Sequence, residues 1–255
     1  MKYSYDQLAK MIDHSLLHPT MTDKELDEGC KIAANYKVAS VCIKPYYVKR
    51  AVELLKGSGV LVGAVVGFPH GSNTSEVKRY ETEIACRDGA VEIDMVINIG
   101  KALSGDWDYV EKDVWVVCEE AHGRKAIVKV ILENDFLPND EIKKKLCQIC
   151  EKAGADYVKT STGYGFVKQA DGKYNYKGAT EHDLQLMRAN TSPKVKVKAA
   201  GGVRDLDGLI KVRDLGAERC GASATVAMLD EYEKRAAQGD LESERKAATL
   251  GTGGY

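Results

Sequence analysis

The sequence predicts one domain folded as a (β/α)8 barrel, the TIM-barrel architecture. Three observations lead to this fold class. Short β-prone runs alternate with longer helical stretches along the 255 residues, which is typical of a parallel sheet built from repeated β/α units. A glycine-centred pattern recurs before three of the runs. No linker or composition break divides the chain, which is long enough to bury a large core as one domain.

The β-prone runs are short, five to seven residues each. Eight of them in about 250 residues match the number that closes a barrel. The predicted strands are Met11–Leu17, Ala39–Lys44, Leu61–Val66, Val91–Ile97, Ala126–Leu132, Asp156–Thr160, Val195–Ala199 and Glu218–Ala222.

Helices are predicted between these strands. Several begin at a residue whose side chain caps a helix N-terminus well, namely threonine, asparagine or aspartate. The clearest examples are Thr22–Tyr36, Thr74–Arg87, Asp106–Glu120 and Asn139–Ala153.

The internal repeat links helix ends to strand ends. In each copy a glycine ends a helix in the left-handed region, and a strand follows at once. The copies are Gly89–Asp94, Gly154–Lys159 and Gly216–Gly221. The last residue of each copy falls near the end of its strand, and the ends of barrel strands converge on one mouth. Asp94, Lys159 and Gly221 are therefore expected to meet.

Composition narrows the functional classes. A net charge of −1 argues against nucleic-acid binding, and no apolar run approaches the ~20 residues that span a bilayer. The first residues lack the apolar core of a signal peptide. Seven scattered cysteines suit reduced thiols in a cytoplasmic protein. We expect a barrel over residues 1–237 and a flexible tail over residues 238–255.

Two lysines stand at strand ends, each just before a loop of small residues. Lys159 precedes Thr160–Gly163 and Lys198 precedes Ala199–Gly202. An ordinary lysine pKa is ~10.4, so a nucleophile at neutral pH needs a decrease of about three units. A second ammonium group ~4 Å away supplies about 4 kcal/mol at an effective dielectric constant near 20. The sequence therefore predicts that Lys198 lowers the pKa of Lys159.

Two further lysines lie inside predicted strands. Lys129 is surrounded by apolar residues, so it needs a carboxylate, with Asp94 or Glu133 as the expected partner. Lys196 alternates with Lys198 and should point into the barrel one layer below it. We expect either that Lys196 pairs with an interior carboxylate or that its strand is irregular.

An anion site is predicted after the last two barrel strands. Gly201-Gly202-Val203 and Gly221-Ala222-Ser223 offer backbone N–H groups where larger side chains would block approach. Barrels often bind phosphate in these two loops, beside helix N-termini. Glycine pairs also occur in ordinary tight turns.

Seven segments, taken in order, resemble the deoxyribose-phosphate aldolase family over nearly the whole chain. They are Asp13–Leu17, Val41–Ile43, Val65–Pro69, Glu92–Asn98, Lys129–Glu133, Val158–Gly163 and Lys198–Arg204. Family members are class I aldolases with a barrel fold. They cleave 2-deoxyribose 5-phosphate reversibly to glyceraldehyde 3-phosphate and acetaldehyde, without a metal or other cofactor.

The resemblance implies roles for individual residues. Lys159 would form the Schiff base, Lys198 would be the second lysine beside it, and Asp94 would donate and accept protons. Lys129 is interpreted as the residue that orients Asp94. Some members fold a tail ending in tyrosine over the site, which would make Tyr255 a helper in proton transfer.

The remaining expected site residues bind substrate. Asp13 and Cys42, near the ends of the first two strands, should line the pocket, and Gly163 should complete the phosphate site. Some members have a lysine after that glycine, where this chain has Tyr164. The candidate substitutes are the lysines of the stretch that follows, Lys168, Lys173 and Lys177.

Alternative functions stay open at this point. Another Schiff-base aldolase could use a ketose donor, and a barrel could bind phosphosugars without catalysis. A metal-dependent aldolase is a weaker third alternative. The expected partners are small phosphosugars and aldehydes, and the resemblance implies a homodimer or a larger homo-oligomer.

Overall fold

The computed structural model describes residues 2–239. Eight parallel strands close into a barrel, and a two-stranded hairpin lies outside it. The strands are β1 (Ile12–Leu16), β2 (Ser40–Ile43), β3 (Leu61–Val66), β4 (Glu92–Val96), β5 (Ile127–Ile131), β6 (Tyr157–Lys159), β7 (Val167–Lys168), β8 (Tyr174–Asn175), β9 (Lys196–Ala200) and β10 (Ala217–Ala222). The hairpin is β7 and β8, and β1 pairs with both β2 and β10 to complete the closure.

Ten α-helices accompany the strands over the described residues. They are α1 (Tyr5–Ala9), α2 (Asp23–Asn35), α3 (Val48–Leu54), α4 (Ser75–Arg87), α5 (Ile99–Leu103), α6 (Trp107–Gly123), α7 (Asp140–Lys152), α8 (Glu181–Ala189), α9 (Leu206–Asp214) and α10 (Thr225–Ala237). The side chains of Thr22, Thr74, Asp106 and Asn139 cap the four helices that the sequence predicts most clearly. The predicted (β/α)8 barrel is confirmed, and each barrel strand ends within a residue of its predicted bounds.

The hairpin between β6 and α8 was not predicted. Its segment rests on the loop after β9, because the Ala179 N–H donates to the Gly201 carbonyl at 3.0 Å. Gly178 has a φ of +69°, and a Cβ there would lie 2.6 Å from that carbonyl oxygen. Only glycine allows this close approach. The hairpin is thereby seated beside the predicted anion site.

Two helices are fastened to the end of β4 by a buried ion pair. Lys78 on α4 donates to Asp113 on α6 at 2.5 Å and to the Val96 carbonyl at 2.9 Å. Both charged side chains are fully buried, and Ser75 donates a further hydrogen bond to Asp113 at 2.8 Å. Burial raises the pKa of Asp113 and lowers that of Lys78. The pair therefore holds β4 in place from outside the barrel.

We expect Lys78→Met to lower the free energy of unfolding by about 3–5 kcal/mol, because it leaves Asp113 buried without its countercharge. Urea denaturation measures the change. The double variant Lys78→Met/Asp113→Leu removes both charges and should recover much of the loss. Equal stability of Lys78→Met and the parent would show that the pair contributes nothing.

The remaining expectations concern the chain as a whole. Within residues 2–239, none of the helices has both the length and the apolar character that crossing a bilayer requires. All seven cysteines are free thiols, and six are buried. The predicted tail, apart from its first two residues, lies outside the described residues, and so does Tyr255.

Candidate active site

The barrel interior holds a connected group of buried charges, which we call the barrel charge cluster. Its side chains come from six strands, and the most exposed of them, Arg219, is 12% accessible. The cluster consists of Asp13, Glu92, Asp94, Lys129, Lys159, Lys198 and Arg219. Apolar side chains fill most barrel interiors, so this arrangement needs a reason other than stability.

Lys159 and Lys198 meet on one carboxylate oxygen. Each Nζ donates to Asp94 Oδ2 at 2.7 Å, so the two nitrogens cannot be farther apart than twice that distance. The two lysines are also partners in the register between β6 and β9. Asp94, Lys159 and Lys198 are therefore in contact, although Asp94 and Lys198 are the middle residues of β4 and β9 and not the strand-end residues that the sequence predicts.

Asp94 faces three ammonium groups. Besides the two lysines on Oδ2, Lys129 Nζ lies 3.2 Å from Oδ1. Burial alone would raise the pKa of Asp94, but Lys129, Lys159 and Lys198 hold it well below its usual range. Asp94 is therefore ionised and able to accept a proton.

Lys198 contacts two carboxylates as well as lying beside Lys159. Its Nζ also lies 2.5 Å from Asp13 Oδ2. Burial by itself would lower the pKa of Lys198, but Asp13 and Asp94 raise it above its ordinary value. Lys198 thus keeps its proton and stays a fixed positive charge beside Lys159, while Asp94 between them offsets part of the repulsion assumed from the sequence.

Lys129 contacts more carboxylates than expected. Its contact with Asp94 agrees with the expected orienting partner, but Lys129 also donates to Asp13 at 2.8 Å and to Glu92 at 2.5 Å. Glu133, the alternative partner expected for Lys129, accepts hydrogen bonds from Thr162 instead. Asp13 was expected near the strand end as a pocket wall. It is instead the second residue of β1 and is fully buried. Its carboxylate contacts Lys129 and Lys198.

Lys196 is the first residue of β9, two residues before Lys198. Its side chain is 44% exposed and pairs with Glu218, which is 49% exposed, at 3.2 Å. The expectation of an interior carboxylate for Lys196 is wrong. The irregularity lies in the neighbouring strand, where the register between β10 and β9 shifts between Ala217 and Arg219.

Glu133 is a site residue whose role the sequence did not reveal. It has a φ of +56°, and its carboxylate accepts hydrogen bonds from the Thr162 hydroxyl and from the Thr162 N–H at 3.1 Å. Burial raises the pKa of Glu133 to about 7. The contact fixes the loop that follows Lys159. A positive φ is uncommon for residues other than glycine. A glutamate at position 133 therefore gives no sequence signal of this backbone conformation or of the contact with Thr162.

A small apolar wall stands at the mouth of the barrel. Leu17, Cys42 and Val65 pack together, with Phe68 and Tyr164 against them. Burial raises the pKa of the Cys42 thiol to about 11, so the thiol is neutral. Cys42 therefore suits the expected role of a semi-apolar wall and not that of a nucleophile.

The predicted anion site is a cavity of about 360 Å³. Five predicted residues line it, namely Gly201, Gly202, Val203, Gly221 and Ser223, together with Tyr176, Arg204, Ala222 and Ala224. No acidic side chain is among these lining residues. A Cβ on Gly221 would lie 3.5 Å from Lys198 Cε, so the cavity adjoins the barrel charge cluster.

Two features of this cavity favour an anion. Ala224 provides no side-chain cap for α10, which leaves N–H groups of its first turn without a capping acceptor. Arg204, which lines the cavity, brings a positive charge to it. The candidate substitutes Lys168, Lys173 and Lys177 do not line the cavity, nor does Gly163. Arg204 was not predicted as a site residue, although a cationic residue directly after Gly201-Gly202-Val203 is a signal that could have identified it.

Comparisons with known proteins agree on one family. The model of the DeoC/LacD family aldolase matches residues 7–233. A deoxyribose-phosphate aldolase from Rhodopirellula baltica is 48% identical over 253 residues, with 99% of each chain covered. One from Clostridium perfringens is 47% identical and covers 88% of this chain and 95% of its own. The structure of the Aeropyrum pernix enzyme superposes with a TM-score of 0.79 at 31% identity, over 90% and 92% of the two chains.

Proposed function

The chain belongs to the DeoC/LacD family of aldolases, and from its relatives and its barrel charge cluster we infer that it is a deoxyribose-phosphate aldolase. This lyase cleaves 2-deoxy-D-ribose 5-phosphate reversibly to D-glyceraldehyde 3-phosphate and acetaldehyde. It is a class I aldolase, in which a lysine iminium takes the electrons of the broken carbon–carbon bond. The shared oxygen of Asp94 between Lys159 and Lys198 carries this inference.

We propose Lys159 as the nucleophile. Its neutral amine attacks the aldehyde carbon of the open-chain sugar, and loss of water gives an iminium ion. Removal of the proton from the C3 hydroxyl breaks the C2–C3 bond and releases glyceraldehyde 3-phosphate. The bonding electrons move to the iminium and leave an enamine on Lys159. Protonation of the enamine carbon and hydrolysis release acetaldehyde and regenerate the amine.

Asp94 is proposed to move the protons, directly or through a water molecule. It is ionised before reaction, so it can accept a proton. In the enamine the Lys159 nitrogen is neutral, and Asp94 then faces two ammonium groups in place of three. Its affinity for a proton rises at the stage where a proton must be delivered to carbon. Lys129 and Lys198 hold Asp94 throughout.

The substrate phosphate is proposed to bind in the cavity after β9 and β10. Gly221 lines this cavity and lies beside Lys198. A sugar whose phosphate is bound in the cavity can therefore direct its aldehyde carbon to Lys159. Cys42 and Tyr164 form a compact wall on the mouth, where the two-carbon fragment departs.

Product analysis tests the substrate class. With 2-deoxyribose 5-phosphate we expect acetaldehyde, detected by coupled reduction with alcohol dehydrogenase, together with glyceraldehyde 3-phosphate. A three-carbon ketone from a ketose phosphate, with no acetaldehyde from the deoxy sugar, would support the ketose-donor alternative instead. Binding without turnover of either sugar would support a non-catalytic barrel. Activity that strong chelation abolishes would support the metal-dependent alternative.

We expect Arg204→Met to raise KM for the phosphorylated sugar about 10–100-fold, because a charge-assisted hydrogen bond contributes about 1.5–3 kcal/mol. The catalytic efficiency on unphosphorylated 2-deoxyribose should change little. Lys168→Met, on the exposed hairpin, is the matched control and should leave both values unchanged. A selective loss in Lys168→Met would move the phosphate contact to the hairpin.

Assembly and location are further proposals. The Aeropyrum pernix relative is described as a tetramer, and this chain exposes large aromatic side chains, including Tyr46, Tyr80 and Trp115. We propose a homodimer or larger homo-oligomer, which light scattering after size exclusion would test. The seven free thiols suit a reducing compartment such as the cytoplasm.

A further inference from the structure

The barrel charge cluster contains one more cation than carboxylates. Its carboxylates are Asp13, Glu92 and Asp94, and its cations are Lys129, Lys159, Lys198 and Arg219. With all seven groups ionised the cluster carries a net charge of +1. An unbalanced charge is costly in a buried site. The cluster becomes neutral when one lysine gives up its proton.

The contacts indicate which lysine yields. Among the described residues, Lys129 forms ion pairs with three carboxylates and Lys198 with two, whereas Lys159 has only the Asp94 oxygen that it shares. Carboxylates raise the pKa values of Lys129 and Lys198 despite the opposing effect of burial. A guanidinium group stays protonated in proteins. Lys159 is thus the cation of the cluster with the fewest carboxylate contacts among the described residues.

Arg219 is the cation that creates the imbalance. It donates to Asp13 and, at 2.6 Å, to Glu92 Oε1, so it reaches the lysines only through carboxylates. The register shift in β10 falls just before Arg219, and such irregularities re-aim side chains next to active sites. Arg219 is the register partner of Lys198, which is the partner of Lys159. Two strand spacings, roughly 10 Å, therefore separate the backbones of Arg219 and Lys159.

We propose that Arg219 is a positioning residue that supplies the permanent positive charge needed for Lys159 to lose its proton. Arg219 forms ion pairs with Asp13 and Glu92. Because these carboxylates also neutralise Arg219, the three lysines of the cluster together have one negative charge too few. The proposal rests on the function inferred above and extends it to a residue that does not touch substrate.

Other ionisable groups face the two ends of this arrangement. Around Arg219 they are Tyr157, whose pKa burial raises, and the Lys196–Glu218 pair, whose opposite charges offset each other. Around Lys159 they are the neutral Cys42 thiol and Glu133, with a pKa of about 7. Asp135 in turn faces Glu133. All of them remain in the variants below, so they contribute equally to each profile.

The test uses two variants with opposite expected effects. The acidic limb of the kcat/KM profile reports ionisation in the free enzyme. Arg219→Met removes a positive charge, so Lys159 keeps its proton to higher pH and the limb moves up by about one pH unit at ~10 Å and an effective dielectric constant of 20. The rate below the limb falls about tenfold. Glu92→Gln removes a negative charge, and the limb moves down by a similar amount.

Further variants separate charge from packing. The double variant Arg219→Met/Glu92→Gln restores the charge balance and should return the limb near its parental position, and Arg219→Lys should do the same. Lys78→Met, which disrupts a buried pair outside the barrel, should lower stability without moving the limb. If Arg219→Met does not fold, the downward shift in Glu92→Gln carries the test.

The outcomes distinguish this inference from the proposed function. Limbs that stay in place, or move the same way in both single variants, overturn the role of Arg219. If the parent protein shows no acetaldehyde adduct on Lys159 after borohydride reduction, the proposed function itself fails, whatever the profiles show.

Discussion

Lys159→Ala should lower kcat for cleavage of 2-deoxyribose 5-phosphate by about 10⁴-fold or more, because a covalent route through the lysine nucleophile is lost. The side chain is 3% exposed and contacts one carboxylate oxygen, so alanine also leaves Asp94 with one countercharge fewer. Borohydride reduction in the presence of acetaldehyde, followed by peptide mapping, measures the same event directly. The parent should carry an ethyl group on Lys159, and the variant should carry none.

The control for this experiment is Lys196→Ala. Lys196 is the first residue of the strand that carries Lys198, but its side chain is half-exposed and pairs with Glu218. Its activity should stay within about twofold of the parent, as surface substitutions usually do. An ethyl group mapped to Lys198 or Lys129 in the parent would contradict the assignment of the nucleophile.

The fold could be predicted in detail because its signals are local. Most barrel strands are short runs rich in apolar residues, and the repeated glycine marks where a helix ends and a strand begins before three of them. The hairpin β7–β8 escaped prediction because its strands are two residues each. Their position depends on a contact with Gly201, which is distant in sequence.

The site was predictable where a residue's place in a strand determines its place in the molecule. Lys159 ends β6, whereas Asp94 and Lys198 are the middle residues of β4 and β9, and closure of the barrel brings the three side chains together. The partners of Asp13, Glu92 and Arg219 could not be predicted, because they depend on how far long side chains reach across the interior. The count of charges in that interior is likewise visible only once the contacts are known.

Asp94→Asn should separate capture of the aldehyde from transfer of the proton. The amide keeps the shape of the carboxylate but cannot accept a proton, so turnover should fall by about 10²–10⁴-fold, the usual contribution of general acid–base catalysis. Its loss also makes the barrel charge cluster more positive, which favours a neutral Lys159. Acetaldehyde should therefore still be trapped on Lys159, while exchange of the acetaldehyde methyl protons for deuterium from solvent should be slowed with turnover.

Asp113→Asn provides the matched control for that variant. Asp113 is also a buried carboxylate paired with a lysine, but it lies between helices outside the barrel. Its loss should reduce stability and leave the ratio of deuterium exchange to trapping unchanged. If Asp94→Asn exchanged protons at the parental rate, another group would have to serve the enamine carbon. Glu133 would then be the first candidate, because it is buried beside the loop after Lys159 and its pKa is raised to about 7.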